Sequence, residues 1–234
     1  VSSPTPAQNR GASAAPSGSA PMSLTERRKA ETRMEIARAA ARLFVTQGLR
    51  ATRAEDIAQA AGIAPRTFYR YFATKEEAVA PLYIMGAQRW AEAVREAPPE
   101  LPLPEALEHA VRHTLTPGTA VSAASWEWVR TLVRLAMTSP ALRKVWGEVC
   151  LASEASLAVV LGERGGWGGV GDDNVAEGSV MSPELRYAAA VADAAVRVAV
   201  ETWASGEAPA TGPEGPAALA LRNLEAVRRF WSEG

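Results

Sequence analysis

Arg66, Thr67, Tyr69, Arg70 and Tyr71 bring two guanidinium groups, a hydroxyl and two phenols within six positions of the chain. A guanidinium donates in a fork that fits a phosphate or the edge of a guanine, and hydroxyls and phenols suit phosphate oxygens. On a helix, Phe68 and Phe72 fall one turn apart and face a core, which leaves the donors around the other faces. Arg66 is the candidate for reading a base; the alternative is a solvated arginine. Arg53 and Lys75 each fall at the expected start of a neighbouring helix, where the dipole and the free N–H groups favour an anion such as phosphate.

A second constellation lies further along. Trp90, Trp126, Trp128, Met137 and Trp146 supply more aromatic and soft apolar surface than a small core needs, which points to a ligand pocket. Arg130 and Arg134, four apart beside these tryptophans, either meet a ligand carboxylate or phosphate or form a solvated helix face. Other patterns carry less. His109 and His113 follow Glu105 at helical spacing, but two histidines and one carboxylate without further ligands read as ordinary residues, not a metal site. The run from Gly166 to Gly171 matches G-x-G-x-x-G in letters alone, without the strand before it that gives the motif its phosphate-binding geometry. Cys150, the single cysteine, has no partner for a disulfide and reads as an inert thiol. No Ser/His/Asp set or carboxylate pair emerges, so the chain reads as a binding protein and not an enzyme, with no cofactor.

The elements that must position these groups are helices throughout. Ser23 with Glu26, Thr52 with Glu55 and Thr74 with Glu77 are three S/T-x-x-E capping boxes within about fifty residues. They predict a first helix from Ser23 to Gly48, a short second one with Ile57, Ala58 and Ala61 inward, and a long one from Lys75 to about Glu96. Between them Gly62 permits a turn through positive φ and Pro65 opens a third short helix, Pro65–Phe72. Four prolines between Pro98 and Pro104 mark a break. Beyond it the spacing predicts helices near Glu105–Leu115, Ser122–Met137, Ala141–Leu161, Pro183–Ser205 and Pro216–Ser232, with a Gly-rich loop over 162–182.

The expected fold is therefore all-α. A disordered tail over 1–22 precedes a helix-turn-helix domain over 23–80, whose reading unit spans about 53–72, and a helical domain over 81–234. The tail's Ser, Ala, Pro and Gly cannot bury enough apolar surface to order it. No apolar run approaches the roughly 18–20 residues that a membrane span requires and no leader is evident, which predicts a cytoplasmic protein with no membrane partner. The net charge is only −1, yet Leu24–Trp90 holds twelve Lys/Arg against seven Asp/Glu, and the rest from Ala91 holds twelve against nineteen. A basic head on an acidic body is the asymmetry expected when one end meets phosphate.

The head resembles the N-terminal domain of the TetR family of repressors. The resemblance rests on Ala39-Ala40-x-x-Leu43-Phe44, the Gly48 to Thr52 spacing, Ile57-Ala58, Ala61-Gly62, Phe68-Tyr69-x-Tyr71-Phe72 and Lys75. It implies that Thr67, Tyr69 and Tyr71 touch DNA from the recognition helix and that Lys75 holds a phosphate. It further implies a homodimer on a palindromic double-stranded operator, released by an unknown small-molecule effector held in the helical body. Two departures stand out. Ala64 occupies a position where the family favours a capping Ser or Thr, with Pro65 fixing φ in partial compensation. Arg66 replaces a residue that is usually small. The last two helices, with Ala188, Ala192, Val196, Ala199, Val200, Trp203, Leu221, Leu224, Val227, Phe230 and Trp231, are expected to form the dimer interface, the alternative being burial inside one protomer. The alternative function is a helical small-molecule-binding protein whose head does not read a specific DNA sequence.

Overall fold

The computed structural model of the protein describes residues 23–119, 125–165 and 182–232. The 1–22 tail, most of the Gly-rich loop including Gly166–Gly171, and the expected helix start at Ser122 lie outside the described residues. Among those described there is no strand.

The head begins with α1 (Leu24–Gln47). Ser23 Oγ accepts from the Glu26 N–H at 3.2 Å, and the Glu26 carboxylate accepts from the Ser23 N–H at 3.0 Å, so the first capping box forms as expected. Gly48, at φ 87°, ends the helix. The start of α2 (Ala54–Ala60) differs from the expected Thr52/Glu55 box. Thr52 is fully buried and its hydroxyl donates back to the Gly48 carbonyl at 2.9 Å; Arg53 takes the cap position, and Asp56 accepts from the Arg53 N–H at 2.8 Å. Gly62, at φ 69°, makes the turn into α3 (Pro65–Tyr71), with Pro65 in its first turn.

The next helix starts later than Lys75. Thr74 Oγ1 accepts from the Glu77 N–H, but the Glu77 carboxylate accepts from Ala73 and not Thr74. This displaced cap holds a 3-10 turn (Glu77–Val79), and α4 (Ala80–Glu96) follows with Pro81 in its first turn. The body then comprises α5 (Leu103–Leu115), α6 (Trp126–Thr138), α7 (Pro140–Glu163), α8 (Pro183–Ser205) and α9 (Pro216–Ser232).

Ile36, Ala40 and Phe44 of α1 pack with Ile57 and Ala58 of α2 and with Phe68 and Phe72, all buried. Burying each large side chain contributes roughly 1.5–3 kcal/mol, so α3 is held to the head mainly by its two phenylalanines. The same cluster continues through Tyr83 of α4 into Leu132 and Ala136 of α6 and Leu142, Val145 and Val149 of α7. Head and body therefore share a core. Helix α4 is not the only connection between them, because α1 also packs directly against α6.

Two expectations about the body change. Ala188, Ala192, Ala199, Val200 and Trp203 are buried inside the protomer, and Val196, Leu221 and Leu224 pack against the same core. Those side chains are interior. The large apolar residues left exposed on the described part of the body are Ile84 on α4, Trp128 on α6, Leu151 and Val159 on α7 and Tyr187 and Val198 on α8. Helix α7 is also long and apolar enough to cross a membrane by length and composition, which the sequence reading did not register. It packs here against α4, α6 and α8. Among the described residues no group of three or more His, Cys, Asp or Glu is placed to hold a metal; Glu105, His109 and His113 are exposed on α5.

Candidate functional site

Helix α3 is anchored by Phe68, whose ring meets Phe72 at 5.9 Å between centroids. Arg33 of α1 fixes the far end: its guanidinium donates to the Tyr71 carbonyl at 3.0 Å and lies 4.5 Å from the Phe72 ring centroid. The sequence reading missed this arginine, although a cation beside a helix C-terminus is a recognisable signal. With the apolar side so held, Arg66, Tyr69 and Arg70 are exposed and Thr67 and Tyr71 are half-buried. Arg70 lies over the Tyr71 ring at 5.5 Å. Tyr69 donates from its hydroxyl to Glu55 of α2 at 3.2 Å, and that hydrogen bond pushes the phenol pKa above its ordinary value. Arg53 is exposed at the start of α2, next to α3 in the fold.

Lys75 sits differently from the expectation. Its ammonium is turned inward and donates to the Leu49 and Thr52 carbonyls at 2.7 and 2.8 Å, bracing the α1–α2 turn. It does not stand at the first turn of α4, which begins at Ala80.

The body encloses a cavity of about 670 Å³ with a predominantly apolar wall. Trp90, Trp126, Trp128 and Trp146 line it together with Tyr83. Arg130, Arg134 and Met137 do not. The two arginines have a structural task instead. Helix α8 leaves carbonyls without partners at its C-terminus, and a cation there also meets the negative end of the helix dipole. Arg130 donates to the Gly206 and Ala208 carbonyls with its guanidinium carbon 4.4 Å from the Trp203 ring centroid. Arg134 donates to the Ala204 and Gly206 carbonyls, each at 2.9 Å. Arg130 is only 5% exposed. Neither reading of the pair, ligand contact or solvated face, describes it. Arg164 does the same for α4, donating to the Ala97 and Pro98 carbonyls at 2.7 and 2.9 Å.

Helix α1 contributes Arg38, Ala41 and Arg42 to the cavity, so the head forms part of its wall. Deeper in, the polar groups come from α4, α7 and α8. Trp90 donates from Nε1 to Asp193 Oδ1 at 2.7 Å, and Trp146 donates to Glu201 at 2.7 Å. Burial pushes the Asp193 carboxyl up to about 6, against the opposing pull of the Ser153 hydroxyl, the Trp90 N–H and Arg197. Burial likewise pushes the Cys150 thiol up to about 12, which keeps it protonated and a poor nucleophile. The sequence reading did not single out Asp193. Its signal was an acidic residue amid the Ala/Val run of α8, where an unpaired charge is costly.

Against known proteins, residues 36–80 match the bacterial regulatory proteins of the tetR family. These are α2, α3 and the adjoining parts of α1 and the α4 entry, including both anchoring phenylalanines. The likeness to that family is carried by the head. The chain is 46% identical over 54 residues to the HTH-type transcriptional regulator TcmR of Streptomyces glaucescens, a match that spans 23% of this chain and 24% of that protein. Solved structures extend the likeness to the body. FadR of Thermus thermophilus, a TetR-family repressor solved with lauroyl-CoA, is 24% identical, with 86% of this chain and 94% of that one covered at a TM-score of 0.51. The TetR-family repressor AlkX of Dietzia is 17% identical over 86% and 95% of the two chains, with a TM-score of 0.52. At these identities the structures establish the shared helical fold.

Proposed function

We propose that this chain is a TetR-family, ligand-responsive transcriptional repressor that binds a palindromic operator as a homodimer and releases it when a small molecule fills the body cavity. The observation that carries this reading is that one helix, α1, holds the DNA-facing α3 on one side and lines the cavity on the other. A ligand that changes the position of α1 or α4 changes the placement of both recognition helices, provided it prefers one of the two arrangements. Coupling through α1 and α6 adds to the α4 route.

In this reading residues 23–80 form the DNA-binding unit and 81–234 the ligand-binding and dimerisation unit, and the protein works in the cytoplasm without catalysing a reaction. Arg66 reads a base edge in the major groove; Thr67, Tyr69 and Tyr71 contact bases and backbone; Arg53 and Arg70 meet phosphates. Lys75 keeps one N–H beyond the two carbonyls it braces, and that donor is available to a phosphate. The exposed apolar residues of α7 and α8, Leu151, Val159, Tyr187 and Val198, are the surface through which a second copy packs. Trp90, Trp126 and Trp146 contact the effector.

The test is DNA binding by the full chain as salt is raised from about 50 to 200 mM, a range over which several phosphate contacts cost orders of magnitude in affinity. A steep loss for the wild type, and weaker binding on every sequence for Tyr69→Phe and Lys75→Ala, support the reading. Arg66→Ala should lose affinity for the operator and not for random duplex. Folded protein with no DNA affinity at the lowest salt would leave a helical small-molecule-binding protein without operator reading.

A further inference from the structure

Among the described residues, two buried polar atoms on side chains lining the body cavity have no hydrogen-bond partner: Asp193 Oδ2 and Trp126 Nε1. Asp193 is 8% exposed and Trp126 is 3% exposed, so solvent at the surface does not satisfy either. One is an acceptor and the other a donor. Native proteins rarely leave such atoms unpaired, since each costs the desolvation of a polar group with nothing in return. Asp193 is the more pointed case. Trp90 holds its Oδ1, and Ser153 stands near enough to favour the ionised form while making no hydrogen bond to Oδ2. Arg197 is engaged by Glu201 at 3.3 Å. The rest of the wall is mostly apolar, with tryptophan, tyrosine, leucine and valine predominating, and Arg38, Arg42, Arg89 and Glu154 also contribute to it.

We propose that the effector is an apolar ring-bearing molecule with two polar groups, an O–H or N–H donor received by Asp193 Oδ2 and an acceptor received by Trp126 Nε1. The aromatic wall binds the body of such a ligand by burial and ring contact. The two orphaned atoms choose among ligands of similar shape, because a ligand lacking either group leaves a buried atom unpaired. A carboxylate placed at Asp193 is rejected by like charge. The inference rests on the cavity being the effector site of the regulator proposed above, and it concerns ligand class alone.

The test uses probes on one skeleton: fluorene, 9-fluorenone, 2-hydroxyfluorene, 2-hydroxy-9-fluorenone and fluorene-2-carboxylate, titrated calorimetrically into the full chain near pH 7.5. The hydroxyketone should bind about tenfold tighter than either singly substituted probe and tighter still than fluorene, the scale of a buried hydrogen bond to a charged group. The carboxylate should bind weakest. Trp126→Phe should erase the ketone advantage and keep the hydroxyl one. Asp193→Asn, with its carbonyl retained by Trp90, presents an amide N–H in place of Oδ2 and should erase or reverse the hydroxyl advantage. Melting curves establish that both variants fold. Equal binding of fluorene and the hydroxyketone, preferred binding of the carboxylate, no binding of any probe, or variants that leave the preferences unchanged would each overturn the proposal. None of these outcomes touches the DNA-binding measurement, which stands or falls separately.

Discussion

The head and the body satisfy their polar groups over different sequence distances. In the head most partners are neighbours, Ser23 with Glu26, Thr52 with Gly48, the Arg53 N–H with Asp56, and the Ala73 N–H with Glu77, and the longest reach, Arg33 to Tyr71, spans 38 residues. In the body they are remote: Trp90 with Asp193, Trp146 with Glu201, Arg130 with Gly206, and Arg164 with Ala97. Local pairing builds each short helix and leaves the outer face of α3 unencumbered for a partner. Long-range pairing ties the helices around a cavity and leaves Asp193 and Trp126 incompletely paired there. The first arrangement suits presentation of a surface and the second suits reception of a molecule.

Phe68→Ala should break the head hardest. Removing the fully buried ring should cost about 3–5 kcal/mol in urea unfolding and abolish DNA binding, because α3 loses its anchor. A loss below about 1 kcal/mol would mean that α3 is held elsewhere.

Arginine separates the two regions more sharply. Arg130→Met removes two charged hydrogen bonds to the Gly206 and Ala208 carbonyls, which keep only Arg134 and Trp203, and should destabilise by about 1.5–3 kcal/mol, whereas exposed Arg66→Ala should stay within about 0.5 kcal/mol. Similar stability losses for the two would erase the distinction between a capping arginine and a presented one.

Asp193 gives the body a pH signature. Its carboxyl is raised from 3.8 to about 6, so the native state holds the proton more tightly than the unfolded chain. Below about pH 4 both states are protonated. As pH rises through 4 to 6 the unfolded carboxyl ionises first, and native stability falls by at most about 3 kcal/mol. The stability of Asp193→Asn relative to wild type should therefore climb across that window and level off above it. A difference that is flat with pH would show that the carboxyl is solvated in the native protein.

The smallest effect is expected at Glu55. Glu55→Gln removes a negative charge from beside Tyr69 on the proposed DNA face and should tighten DNA binding several-fold with stability unchanged. Weaker binding would show that the carboxylate positions Tyr69 for its contact.

The same contrast explains what could be read from residues alone. Helix boundaries depend on nearby groups, so Ser23, Gly48, Gly62 and Pro65 marked the head, and Pro183–Ser205 and Pro216–Ser232 emerged with the limits the structure shows. The capping boxes at Thr52 and Thr74 were legible as helix starts but misplaced by one to several residues, since Asp56 and Glu77 compete for neighbouring N–H groups. The tryptophans of the cavity announced themselves by their excess. Arg130 and Arg134 did not, because the carbonyls they cap lie more than sixty residues away and only folding brings them near. Lys75 was misjudged for the same reason: its partners on Leu49 and Thr52 belong to a turn that the local pattern does not connect to it.

The central claim, that this chain reads a two-fold symmetric DNA site, is tested most directly by selecting bound duplexes from a random pool at about 150 mM salt, where exposed charges attract only over roughly 8 Å. The account predicts an enriched palindrome with half-sites about one helical turn apart, about 34 Å, lost with Arg66→Ala at one position of each half-site. Well-folded protein that enriches no sequence, or a site without symmetry, would contradict it.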